Sequence, residues 1–155
     1  MAIRIQRILL PTDFSDYSAT ATKYACELVT KFDAELHLLH TLEVHLSSTP
    51  AFGMGLDLPS YVQESRTAAE NSLRSVLDHQ WSAGRKVVQA VVDGSPKAAI
   101  VRYARTHEID LIILATHGRS GLAHMIIGSV AESVVRTAPC PVLTVRPGGH
   151  QCIMP

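Results

Sequence analysis

Residues 111–130, LIILATHGRSGLAHMIIGSV, most constrain what this chain can fold into. Leu111, Ile112, Ile113 and Leu114 are apolar on consecutive positions, so a strand built from them needs cover on both faces. The run breaks into the small and polar residues 115–121. It closes on Gly128 and Ser129, ahead of Val130, Ala131, Val134 and Val135 at helical spacing. The stretch reads as a buried strand, a glycine-rich loop and a helix N-terminus. That order turns unpaired backbone N–H groups toward an anion, commonly a phosphate. A plain loop leading to a Gly-Ser helix start is the competing reading.

The same alternation runs through the whole chain. Residues 5–10 form an apolar run that stops at Pro11, and residues 35–41, 86–92 and 142–145 are short apolar runs of the same kind. Between them the spacing predicts helices. One starts at Ser15 or Asp16, either of which can cap it, and runs to about Phe32 with Ala21, Ala25, Leu28 and Val29 on one face. A second covers about residues 60–83, from Tyr61 to Trp81, with Gly84 as its stop. A third covers about 96–107, with Ser95 as N-cap and Pro96 at the first helical position. Residues 137–141, with two prolines, end the last helix, and 42–58 read as a long loop. The order βαβαβαβαβ predicts an α/β fold, a doubly wound five-stranded parallel sheet with helices on both faces. Ligands on such sheets sit at the carboxyl ends of the strands, where strand order reverses. The loops there include residues 11–15 and 115–128.

Composition excludes several classes. The chain has 155 residues, 46% of them hydrophobic and 18% charged, which suits one globular core and not a disordered segment. Fourteen Lys plus Arg balance fourteen Asp plus Glu, so nothing draws the whole molecule to nucleic acid or an anionic membrane. Phosphate binding would have to be local. No apolar run approaches the ~20 residues that span a bilayer, and the N-terminus lacks a secretory pattern. Cys26, Cys140 and Cys152 lie far apart with no CxxC pair, as expected of free thiols in a cytoplasmic protein.

Neither GxxxxGK[ST] nor GxGxxG occurs, which disfavours a P-loop ATPase and a dinucleotide-binding dehydrogenase. Thr116-His117-Gly118 is followed after nine residues by Gly128-Ser129. Gly118 and Gly121 can take positive φ, and Gly128 leaves room beside the N–H groups of Ser129 and Val130. The Ser129 hydroxyl can cap the helix or donate to a phosphate oxygen.

Ala115-x2-Gly118-x9-Gly128-Ser129 resembles the G-x2-G-x9-G-[ST] phosphate loop of the universal stress protein family. The start ILLPTDFS at 8–15, DGSP at 93–96 and PCPVLTV at 139–145 are similar to that family too, in order, over about residues 3–147. The resemblance implies one domain over 1–147 and a sheet in the order 3-2-1-4-5; the 42–58 loop and the tail fall outside it, and Pro147, Gly148 and Gly149 predict that the tail at 148–155 is flexible. The resemblance also implies a homodimer that pairs the last strands, here Val142–Val145. It implies ATP, or AMP or ADP, at the switch point, with a divalent Mg or Mn bridging the phosphates. Asp13 would then lie near ribose or adenine, with Pro11 and Thr12 beside it, and Thr41 would line the adenine pocket. Ala115, His117, Gly118, Gly128, Ser129 and Val130 would wrap ribose and phosphates.

Alanine at 115 departs from that pattern. A left-handed alanine would be strained by ~1 kcal/mol or more, whereas an extended one is harmless. Because Ala115 continues a strand, extended dihedrals are expected. Arg119 is the cation within the glycine-rich loop, able to reach a phosphate or to sit exposed. His37 and His40 point to opposite faces of their strand, against a shared metal site. Three functions are consistent with these residues. The first is a stress-response protein whose regulatory state is nucleotide occupancy. The second is a slow ATPase or autophosphorylating enzyme using His117 or Ser129, though the lysine usual in fast phosphoryl transfer is missing. The third is a dimeric interaction module with an empty cleft, an option favoured by Ala115.

Overall fold

The computed structural model describes residues 3–43, 58–117 and 127–146. Five strands form one parallel sheet: β1 Arg7–Pro11, β2 Glu35–Leu42, β3 Val87–Asp93, β4 Leu111–Ala115 and β5 Val142–Val145. Their order is β3-β2-β1-β4-β5, so the chain winds outward from β1 in one direction and then in the other. The reversal lies between β1 and β4, where Ile8 pairs with Leu111 and Leu9 with Ile112. β5 pairs with β4 on one side, from Ile112↔Val142 to Ala115↔Val145.

Unbroken apolar strands bury both faces. On one face Ile8, Leu10, Leu36, Leu38 and Ile113 pack under helix α1, Asp16–Phe32, and helix α2, Leu58–Arg74. On the other face Leu9, Leu39, Ile112 and Leu114 pack under α4, Pro96–Thr106, and α5, Ser129–Thr137. Among the described residues no helix is long and apolar enough to cross a membrane.

The helix expected over 60–83 is two pieces. α2 stops at Arg74, and α3 covers only His79–Ser82. Ser75 and Val76 donate to the carbonyls of Ser72 and Leu73, the tight i→i−3 pattern of a closing turn. Asp78 then caps α3 by accepting the Trp81 N–H at 2.9 Å. The break still lets Leu73 and Leu77 reach the core. Gly84 follows with φ +78°, a conformation that suits glycine.

His37 and His40 do face opposite sides of β2. His37 is buried on the α4 face, with Nδ1 3.0 Å from the Tyr103 hydroxyl. Its Nε2 lies 3.0 Å from Glu35 Oε1 but is misaligned for a hydrogen bond. Burial pushes the imidazole pKa below its ordinary value of 6.5, and the nearby Glu35 carboxylate opposes this only in part. The unfolded chain therefore takes up this proton before the folded one. The stabilisation is complete above about pH 6.5 and is lost as pH falls through the folded value. Thermal unfolding followed from neutral to mildly acid pH is expected to show a falling Tm, with a shallower fall in His37→Leu. An equal slope in the two proteins would contradict the assignment.

Candidate functional site

Two loops from neighbouring strands build the site. β1 ends at Pro11, and the Thr12 N–H still donates to the Leu39 carbonyl at 2.9 Å, which carries the turn out along the edge of β2. The Thr12 hydroxyl accepts the Phe14 N–H at 3.1 Å and lies 3.1 Å from Ser18 Oγ. Asp13 Oδ1 accepts both the N–H and the hydroxyl of Ser15, at 3.0 and 2.6 Å, a local turn that aspartate forms readily. Ser15 in turn caps α1 by accepting the Ser18 N–H at 3.3 Å. Phe14 sits at φ 64°, a left-handed position uncommon for a bulky residue. It is held by stacking on His40 with ring centroids 4.3 Å apart. His40 Nδ1 donates to the Thr12 carbonyl at 2.8 Å, so β2 braces the turn from beside.

The second loop leaves β4. Ala115 pairs with Val145 as the last residue of the strand and is absent from the residues with positive φ. Its backbone is extended, as its place after an apolar strand implies, so alanine carries no left-handed strain there. The Thr116 N–H donates to the Val145 carbonyl at 2.9 Å, and the Thr116 hydroxyl lies 2.9 Å from His117 Nδ1. The Tyr17 ring stands 6.0 Å from that of His117.

Helix α5 returns directly onto this strand end. Gly128, with φ −71° and ψ 153°, is its N-cap, and its N–H donates to the Thr116 carbonyl. Ser129, expected as a possible cap, is instead the first helical residue, because the chain is already extended one position earlier and turns helical only after it. A Cβ on Gly128 would lie 2.9 Å from the Thr116 oxygen. The glycine thus makes room for a neighbouring carbonyl, which is a stricter demand than space beside a ligand. The first intrahelical bond runs from the Glu132 N–H to the Gly128 carbonyl at 2.9 Å. The N–H groups of Ser129, Val130 and Ala131 precede it, at the positive end of the helix dipole.

These parts enclose a cleft of about 530 Å³ at the carboxyl ends of the strands. Pro11, Thr12, Asp13, Thr41, Ala115, His117, Gly128, Ser129 and Val130 all line it. Gly118 and Arg119, also expected here, lie outside the described residues, as do Gly121, most of the 42–58 loop and the tail. Sequence reading missed Ser18, Leu39, His40, Leu42, Glu43, Pro96, Ile100, Leu114, Thr116 and Ala131 as lining residues. The residues of β2 follow from strand register, since its carboxyl end runs beside that of β1. Pro96 and Ile100 are one helical turn apart at the start of α4, a spacing that could have suggested them. Ser95 occupies the N-cap position of α4 without a side-chain capping bond. The turn before it is anchored by Arg66, whose Nη2 holds both Asp93 carboxylate oxygens at 2.7 Å.

Comparison with known proteins agrees with this geometry. Residues 4–146 match the model of the Universal stress protein family. The Universal stress protein MJ0531 of Methanocaldococcus jannaschii is 33% identical over 142 residues, covering 91% of this chain and 82% of that protein. The solved structure of MJ0577 from the same organism has a TM-score of 0.81 at 27% identity, covering 96% of this chain and 100% of the other. A universal stress protein solved in complex with cAMP has the same fold, with a TM-score of 0.59 at 20% identity over 91% of this chain and 97% of that one. The match of almost the whole chain, together with the sheet order and the loop around Gly128, establishes that the protein belongs to the universal stress protein family.

Proposed function

We propose that the cleft binds an adenine nucleotide, ATP or its AMP and ADP relatives, and that occupancy serves as a regulatory state in a stress response. The observation that carries this reading is the convergence of the Asp13 turn and the α5 N-terminus on one cavity of about 530 Å³. The two ends differ in chemistry. Backbone N–H groups from Ser129 onward suit phosphate oxygens, and charge-assisted bonds of this kind contribute about 1.5–3 kcal/mol each. The Asp13 carboxylate suits ribose hydroxyls, while Leu39 and Ile100 supply an apolar wall for a base. Family membership makes adenine the base to test first.

Among the described residues no three His, Cys, Asp or Glu side chains gather to hold a metal ion. A bridging Mg or Mn would therefore take most of its ligands from phosphates and water, as Mg commonly does. Protein freshly purified and then denatured is expected to release adenine nucleotide detectable by mass. A supernatant free of nucleotide, also after prior incubation with ATP, would overturn the proposal.

A further inference from the structure

Away from the cleft, α4 and α5 leave a second concavity between them, a groove of about 430 Å³. Lys97, Arg102 and Arg105 stand along its α4 wall, Val101 forms part of the floor, and Ser133 and Thr137 contribute hydroxyls from α5. Arg102 and Arg105 are three residues apart and so neighbours on the helix surface, Lys97 stands in the first turn, and α4 contains no acidic residue. Arg102 donates to the Asp93 carbonyl at 3.2 Å, a backbone oxygen that leaves its charge unbalanced. Among the described residues, the ion pairs of Arg7, Arg66 and Arg136 leave Lys97, Arg102 and Arg105 without a carboxylate partner. A molecule of zero net charge thus concentrates three unbalanced cations on one groove.

We infer that this groove docks an acidic segment of a partner protein. Charge complementarity selects an anion, and the size and floor of the groove select its kind. Lys97 to Arg105 spans about 12 Å of helix, the reach of roughly four extended residues. An apolar floor at Val101 between cationic and hydroxyl walls fits carboxylates alternating with an aliphatic side chain. Nucleic acid would present a continuous phosphate row, and three cations with no wider basic field hold such a row poorly. The partner would rest on the same two helices that supply Pro96, Ile100 and Ser129 to the cleft.

A fluorescein-labelled peptide, Glu-Leu-Glu-Glu-Leu-Glu, titrated with the full chain tests this by anisotropy. Saturable binding that weakens with added salt is expected, with no binding of the Gln-Leu-Gln-Gln-Leu-Gln control. The double variant Lys97→Gln, Arg105→Gln is expected to lose about tenfold in affinity, the scale of two surface ion pairs. Absence of saturable peptide binding, or equal affinity in the variant, overturns the inference. So does tighter binding of a thymidine oligonucleotide that weakens in the same variant, which would assign the groove to nucleic acid. Because neither substituted residue lines the cleft, the variant is expected to bind ATP as the parent does. Failure of ATP binding in both proteins would bear on the cleft alone.

Discussion

Gly128→Val is expected to weaken nucleotide binding by at least about 100-fold, or ~2.8 kcal/mol at 1.4 kcal/mol per tenfold. The effect follows from one distance. A Cβ at position 128 lies 2.9 Å from the Thr116 carbonyl oxygen, which also accepts the Gly128 N–H. Neither atom can turn aside as a flexible side chain would, because Thr116 is tied to β5 through its own N–H. The N-terminus of α5 must move off the end of β4, taking the N–H groups of Ser129, Val130 and Ala131 with it. Overpacking of this kind costs about 1–3 kcal/mol of stability, so the fold is expected to survive with a lowered Tm. Titration calorimetry of the folded variant checks the binding loss. Unchanged affinity would place the ligand elsewhere.

Ile112→Ala is expected to cost about 2–5 kcal/mol of folding stability. Ile112 is 0% exposed and sits between Leu9 and Val142 in the middle of the sheet, under α4 and α5. Parallel strands covered on both sides cannot collapse readily into a cavity left there. Domains of this size hold about 5–15 kcal/mol in total, so the variant approaches the threshold of unfolding. At about 2–4 °C per kcal/mol, Tm falls by roughly 4–20 °C. A urea midpoint showing less than about 1 kcal/mol of loss would contradict the burial assigned to this residue.

Strands, sheet class and the two facing loops were legible because they rest on local signals. Apolar residues on consecutive positions announce a two-sided strand, and Pro11 and Gly128 punctuate the turns that follow. The extended state of Ala115 was legible for the same reason, since it continues the strand begun at Leu111. The division of α2 from α3 was not, because apolar spacing from Tyr61 to Trp81 runs through the break without a change of period. Side-chain oxygens at Ser75 and Asp78 offered an alternative to helix, but the cap is identified only by the Trp81 N–H donating to the Asp78 carboxylate. The N-cap of α5 was displaced by one residue because serine has the stronger capping preference. The close approach of the Thr116 carbonyl decides for Gly128, and that contact joins residues twelve positions apart. The brace from His40 to Thr12 joins residues further apart still and depends on the pairing of β1 with β2, which no local pattern records.

The central claim is that the cleft between the Asp13 turn and the α5 N-terminus holds an adenine nucleotide. Calorimetric titration of the purified chain with ATP tests it most directly, after any retained nucleotide is removed. A saturating isotherm at one site per chain, weakened by Gly128→Val, is the expected result. No heat of binding at millimolar ATP would contradict the claim.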